Sequence, residues 1–599
     1  MNVPAKLPQP VATHIADASS NGVWAQLLIM LEALKGSPRK WVLISLPAGS
    51  VVVISAIAVG QVRLNQWQGA LYDTLVQRNF SGFLHQTTVF LAIVSALLAL
   101  VVAQTWLTEV GKVRLRGWLV RDVMDEWLRP KRAYLFAYTG ESGVNPDQRI
   151  HEDARHLSEL SVDFGNGLLQ SSLLLISFVG VLWGLSSQVV FNWDGKDFTI
   201  PGYMVWCAFA YASVGSWLTW WVGRPLIQLN ADHYAREAAF RTALVRVVER
   251  AEAIVLYRGE ADERAWLDDK FNAVQIVARK LAGGVARLTW ITSGHGWLAI
   301  LAPFLIAAPG YFSGRLSLGA LMITVGAFNQ VQSSLRWFVD NFSRIADWRA
   351  TLGRVVTMRE ALRALETLHE NESRIDFSEH PEQKLVLEHV ETFLPGSLVE
   401  CAVLNEERIE LCPGEHVQVI GDVTAVKTTF FLALAGLWPW GRGTISLPPR
   451  DDMMFLPRQP YLPTGSLRSA IAYPAEAHVF SDEAMRAALS RVELGHLADD
   501  LDRKATWEKE LSLDEEQALG FARVLLHAPK WVFLDDALGA MDPKMRASIM
   551  STFGQELAGT SVVSTGRSAE NGFYSKTLHL RRLERQEKRS TPLSVDAVT

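Results

Sequence analysis

Six apolar stretches, each approaching the roughly 20 residues that cross a bilayer, crowd the first 345 or so positions of this 599-residue chain. They lie at about 41–61 (WVLISLPAGSVVVISAIAVGQ), 86–108, 166–190, 203–223, 288–309 and 317–339. In hydrocarbon every backbone N–H and C=O must find its partner within the segment, so such stretches cross as helices. One run alone also suits a buried core helix. Six in one half of a chain, with long polar helical segments between alternate pairs, predict a six-helix α transmembrane domain. The 49% hydrophobic content and 21 tryptophans agree, since tryptophan favours membrane interfaces.

The charges orient the bundle. The loop at 109–165 carries Lys112, Arg114, Arg116, Arg121, Arg129, Lys131 and Arg132, and the loop at 224–287 is similarly basic, whereas FNWDGKDFTIPG at 191–202 is not. The positive-inside rule then places both long loops and both termini in the cytoplasm. A net charge of -5 gives no basic bias toward nucleic acid. Cys207, Cys401 and Cys412 lack CxxC spacing or a nearby His pair, so they are expected to be buried small apolar residues, not disulfide or zinc ligands. The first residues, MNVPAKLPQPVATHIADASSNG, have no basic segment leading into an apolar one, which predicts no cleaved signal peptide.

After about residue 375 the texture changes to short β-rich runs, KLVLEHV, HVQVIGD, WVFLDD and TSVVST, alternating with helical ones. That is a soluble α/β pattern. The domains expected are a cytoplasmic segment at 1–40, the membrane domain at 41–345, a connecting helix at 346–375, an α/β P-loop domain at 376–582 and a mobile tail at 583–599.

Within the second half, GDVTAVKTT follows the apolar run VQVI and precedes FFLALAGL. A phosphate loop needs a strand, a tight glycine turn whose amides face phosphate, a lysine, and Ser/Thr for magnesium at a helix start. Gly421, Lys427, Thr428 and Thr429 fall at that spacing, but Thr424 and Val426 replace the two inner glycines. About ninety residues on comes LSLDEEQALGFARVLLHAPKWVFLDDALGAMD. In it a signature segment, a helix, an apolar strand, an acidic pair and a turn aspartate succeed one another.

With these motifs the chain resembles an ABC transporter half-molecule, an exporter-type membrane domain followed by a nucleotide-binding domain. The group it resembles is related to the BacA/SbmA peptide transporters and the peroxisomal fatty-acyl transporters. NPDQRIHEDARHLSE, ERAEAIVLYRGEADERAWL, APGYFSGRLSLGALM, AFNQVQSSLRWFVDNFSRIADWRA and FLPRQPYLPTGSLRSAIAYP extend the likeness over nearly the whole chain. The resemblance implies ATP and Mg2+ as cofactors, held by Gly421, Lys427, Thr428, Thr429, Gln459, Ser512 and Asp535, with Thr428 and Asp535 at the metal. It also implies a homodimer or a heterodimer with another half-transporter, a bacterial inner membrane and a peptide or acyl substrate.

Against that pattern five positions depart. Asp514 stands where the signature has glycine, a like-charge contact for a phosphate. Asp536 replaces the catalytic Glu, Arg458 takes the Q-loop Gln position with Gln459 one place late, Arg567 stands where the switch His is expected, and the phosphate loop lacks its glycines. Together they predict impaired ATP binding and hydrolysis. An ATP-independent, proton-coupled carrier with a relic cassette, or a non-transporting regulatory subunit, remain open beside an ATP-driven transporter.

For a substrate, Asn329, Ser333, Arg336 and Asp340 recur along one face of the sixth span, either lining a pathway or extending the helix beyond the bilayer. Glu159 and Asp163 are interface residues or proton-exchanging carboxylates. Trp206, Trp217, Trp220 and Trp221 are expected in the aromatic belt.

Overall fold

The computed structural model describes residues 22–36, 38, 40–137, 145–187, 189, 191–193, 196–367, 374–393, 400–421, 424–539, 541–566 and 572–584. Arg567 and nearly all of the 583–599 tail lie outside the described residues. The chain divides into two compact units. One comprises 22–123 and 147–356; the other contains 124–146 and the chain from 357 onward.

The helices are, in order, α1 (Val23–Lys35), α2 (Lys40–Val76), α3 (Phe80–Trp127), α4 (Arg132–Phe136), α5 (Ala154–Ser186), α6 (Tyr203–Glu249), α7 (Glu260–Phe312), α8 (Leu318–Asp340) and α9 (Phe342–Thr367). Each predicted span falls within one long helix, the third ending at Ser186 and followed by a short hairpin of β1 (Phe191–Trp193) and β2 (Lys196–Phe198). Four of the six, α2, α3, the helical stretch Pro146–Ser186 and α7, are long and apolar enough to cross a membrane by length and composition. In α6 four tryptophans, and in α8 Asn329, Gln330 and Gln332, dilute the hydropathy.

The bundle core gathers Leu174, Phe178, Leu182, Met204, Ala208 and Phe328. Trp206, Trp217, Trp220 and Trp221 point outward, where a belt would place them. Helices α2 and α8 touch closely: a Cβ on Gly319 would lie 2.4 Å from the Gly69 carbonyl oxygen, the close approach that small residues permit between membrane helices.

Ion pairs brace the polar ends of this unit. A π-helical turn, Arg149–Asp153, leads into α5. The buried Asp153 accepts both ends of the Arg354 guanidinium fork, at 2.9 and 2.8 Å. Asp163 is held by Lys112 at 2.9 Å and Arg344 at 3.4 Å, and Glu159 pairs with Arg155 at 3.0 Å on its own helix. Both carboxylates are thus ion-paired.

The second unit is built on a ten-stranded sheet. Its strands are β3 (Asp376–Glu379), β4 (Leu385–Phe393), β5 (Glu400–Leu404), β6 (Arg408–Leu411), β7 (His416–Gly421), β8 (Gly441–Leu447), β9 (Met453–Leu456), β12 (Trp531–Asp535), β13 (Ser561–Gly566) and β14 (Lys576–Glu584), with β10 (Gly465–Ser466) and β11 (Lys504–Ala505) forming a separate small ladder. The order is β3-β8-β4-β5-β14-β7-β13-β12-β9, with β6 paired to β4 off this path, and the run from β14 to β9 is parallel. The helices α10 (Thr424–Leu434), α11 (Leu467–Ala472), α12 (Asp482–Arg491), α13 (Leu513–His527) and α14 (Pro543–Gly554) complete it. Two apolar clusters form its interior, one around Phe430, Phe533 and Ile445, the other around Trp507, Leu519 and Leu489.

One expectation needs correcting. Of the cysteines only Cys401 is buried; Cys207 is half-buried and Cys412 exposed, because Cys412 follows β6 in a surface turn. Residues 124–137, part of the basic 109–165 segment, cluster with the cassette unit. There Phe136 of α4 is fully buried and the Lys131 ammonium lies where a side chain on Gly436 would otherwise go.

Candidate nucleotide site and membrane cleft

Strand order assembles the nucleotide site. β13 runs between β7 and β12, pairing Thr565 with Val419 on one side and Asp535 on the other. The carboxyl ends of three parallel strands therefore meet where an open α/β sheet binds ligands. Gly421 ends β7 and α10 starts at Thr424, with Lys427 and Thr428 in its first turns. Lys427 is buried and its ammonium donates to the Gly566 carbonyl oxygen at 2.9 Å. Val426 packs into the cassette interior, 1% exposed, and Thr429 is also buried. Thus a valine side chain in a glycine position finds its place in the core.

Across from the loop, Thr565 donates its hydroxyl hydrogen to Asp535 Oδ1 at 2.8 Å. Burial pushes the Asp535 carboxyl up; the Thr565 hydrogen bond opposes this, the negative Asp536 adds to it, and the cations Arg458 and Lys427 oppose it. Arg458, at the Q-loop position, thus brings positive charge to the acidic strand end. Asp536 adopts a left-handed backbone, φ 51°, and its N–H donates to the Thr565 carbonyl at 3.1 Å. Its carboxylate faces Gly539, where a Cβ would approach Oδ1 to 2.5 Å.

The signature helix is closed on itself. Ser512 caps α13 and forms a reciprocal capping box with Glu515. The Ser512 hydroxyl and amide both donate to Glu515 Oε2 at 2.9 Å. Asp514, Glu515 and Glu516 crowd the first turn, charges that satisfy the helix dipole from within. Gln459 turns to this helix and donates to the Glu516 carboxylate.

In the membrane unit a small open cleft lies between α6, α7 and α8. Arg336 and Asp340 line it with Gln332, Thr292 and His295. Asn329 and Ser333 are exposed and lie off this lining, while Gln332, Arg336 and Asp340 share the cleft face. His295 stacks on Tyr211 with ring centroids 4.2 Å apart, and a Cβ on Gly215 would come within 2.3 Å of its Nε2.

Residues 37–312 match the family model of the ABC transporter transmembrane region 2, and residues 404–539 match that of the ABC transporter. The two matches together span more than half the chain. The inner membrane ABC transporter ATP-binding protein YddA of Escherichia coli (strain K12) is 27% identical over 525 residues, 86% of this chain and 90% of that protein. The chloroplastic ABC transporter D family member 2 of Arabidopsis thaliana is 27% identical over 579 residues, 85% of this chain and 79% of that one. A bacterial Atm1-family ABC exporter with ATP bound shares the fold, with a TM-score of 0.65 over 88% of this chain and 91% of that one at 16% identity. The chain is an ABC half-transporter.

A half-transporter of this family works as a dimer and its cassette is built for ATP and Mg2+. In this one Asp535 ends β12 and Thr428 lies in the first turns of α10, while Lys427 and Ser512 are engaged by the protein itself. The serine's engagement was legible as Ser512-x-x-Glu515, a capping-box spacing. Thr565, the Gly566 carbonyl and Gln332 carry no sequence signal, because only strand order and helix rotation bring them in; His295, a lone titratable residue in an apolar span, does.

The half-transporter also carries a buried liability. Glu516 is 3% exposed, and its Oε2 has no hydrogen-bond partner among the described residues. Burial pushes its carboxyl up, against the Gln459 hydrogen bond. An acid with a raised folded pKa favours the fold below its unfolded pKa, about 4.3, and that contribution is lost as pH rises. Glu516→Gln is therefore expected to stabilise the protein by about 1–2 kcal/mol at neutral pH and by almost nothing near pH 4. Unfolding of native and variant protein at both pH values checks this; equal gains at the two would remove the ionisation from the account.

Proposed function

We propose that this half-transporter moves an amphipathic solute of the peptide or acyl class across a bacterial inner membrane, with weak ATP binding and hydrolysis. Both termini lie in the cytoplasm, as the basic loops 109–165 and 224–287 support. The partner is a second copy or another half-transporter. The observation that carries the weak-site reading is the Lys427 ammonium buried against the Gly566 carbonyl. To meet a phosphate the lysine has to give up that bond, and Val426, where the motif has glycine, is committed to the core. Thr428 and Asp535 would hold Mg2+, and Lys427 the phosphates once released.

Mg·ATP binding and phosphate release by the purified full-length dimer, native against Lys427→Ala, test the reading. Native turnover is expected within about tenfold of the variant, since a misplaced charge loses most of its catalytic value. Brisk turnover abolished by Lys427→Ala would overturn it. A proton-coupled carrier is the second reading, favoured by His295 in the membrane cleft. It requires uptake into proteoliposomes that survives Lys427→Ala and stops when the pH gradient is collapsed.

A further inference from the structure

We propose that the cleft between α6, α7 and α8 is a subsite for the carboxylate of an amphipathic solute, with Arg336 as its recognising group. The proposal rests on the transport reading and names the headgroup chemistry of its substrate.

Arg336 engages Asp340 through Nε alone, at 3.3 Å. Among the described residues its two terminal nitrogens have no hydrogen-bond partner. A guanidinium edge with two parallel donors matches a carboxylate in a bidentate pair, which a point charge cannot do. The Thr292 hydroxyl and the Gln332 amide line the same cleft.

His295 holds the wall. Tyr211 donates its hydroxyl hydrogen to the His295 carbonyl at 2.5 Å, and the imidazole Nε2 lies 3.2 Å from the Tyr211 carbonyl. With Nε2 donating, Nδ1 is the acceptor, and the Gln332 amide reaches it at 3.5 Å. The absent Cβ of Gly215 gives the ring its space. His295 is thus a positioning residue for Gln332.

Asp340 sets the sign of the site. It is the one anion lining the cleft among the described residues and it competes for Arg336. Removing its charge frees the guanidinium for an incoming carboxylate, an effect opposite to that of losing a structural ion pair.

Equilibrium binding of radiolabelled dodecanoate to the full-length protein in nanodiscs, without nucleotide, tests this, with dodecanol and dodecylammonium as competitors. Dodecanoate is expected to bind about tenfold or more tightly than dodecanol, as a charge-assisted pair requires. Arg336→Gln should erase that preference, Arg336→Lys should keep part of it, and Asp340→Asn should strengthen dodecanoate binding. Equal affinity in native and Arg336→Gln protein, weaker binding in Asp340→Asn, or stronger competition by dodecylammonium would each overturn the proposal. Because no transport is measured, a chain that binds dodecanoate but carries nothing would refute the transport reading and leave the subsite standing.

Discussion

Replacing Asp536 by Glu together with Asp514 by Gly is expected to raise Mg·ATP hydrolysis by the full-length dimer by about a hundredfold, the scale of a one-ångström correction at a reacting carboxylate. The Asp536 backbone cannot advance to compensate for its missing methylene. Its N–H is tied to the carbonyl and the hydroxyl of Thr565, at 3.1 and 3.2 Å, and its left-handed φ turns the chain sharply into Ala537. Only a longer side chain extends the carboxylate. Asp514 acts separately, placing a negative charge in the first turn of α13, where an opposing subunit's phosphate would arrive. Asp536→Glu alone should raise turnover, and Asp514→Gly alone should chiefly tighten nucleotide binding. Phosphate release and nucleotide binding, measured on the same preparations, separate the two. Turnover unchanged in the double variant would show that the Lys427–Gly566 bond, not the carboxylates, limits the reaction.

The second large effect concerns stability. Asp153→Ala is expected to cost about 1–2 kcal/mol, the loss of a charge-assisted, bidentate pair whose carboxylate is buried and whose guanidinium is half-exposed. Asp153 is 5% exposed and holds the Arg354 fork through both oxygens. The Asp153 hydrogen bonds hold the Arg354 guanidinium above its ordinary value. The comparison is Arg344→Ala, which breaks a half-exposed contact to Asp163 at 3.4 Å and should cost under about 1 kcal/mol. Thermal unfolding of the purified protein reads both. Equal shifts would mean that Asp153 is screened as effectively as a surface carboxylate.

The membrane helices were legible because their cause is local: lipid accepts no unpaired backbone, so length and apolarity alone specify a span. α6 and α8 sat at the margin of that rule. Tryptophans in one and Asn329, Gln330 and Gln332 in the other lower the apolar signal, and neighbouring helices supply what lipid does not. The alternation of short strands and helices after 375 was equally local, and so was the strand that leads into GDVTAVKTT.

Residues 124–137 show the opposite case. They belong to the basic 109–165 segment, and nothing in their composition says that α4 buries Phe136 with the cassette unit. The stripe on α8 makes the same point on a smaller scale. A period of 3.6 picks out a face, but its rotation is set by neighbouring helices, and that rotation put Gln332 in the cleft and left Asn329 and Ser333 outside it.

The sequence by itself determined the spans, the α/β cassette and the five departures from the nucleotide motifs, since each is read from residue type and spacing along one segment. Tertiary structure alone decided what those residues do. Strand order placed β13 between β7 and β12 and so gave Lys427 the Gly566 carbonyl and Asp535 the Thr565 hydroxyl. Helix packing placed His295 beside Gln332 and left the outer edge of Arg336 open to the cleft. Such partners are separated by tens to more than a hundred positions in the chain, and no local preference connects them; they meet only when the whole sheet and the whole bundle have closed.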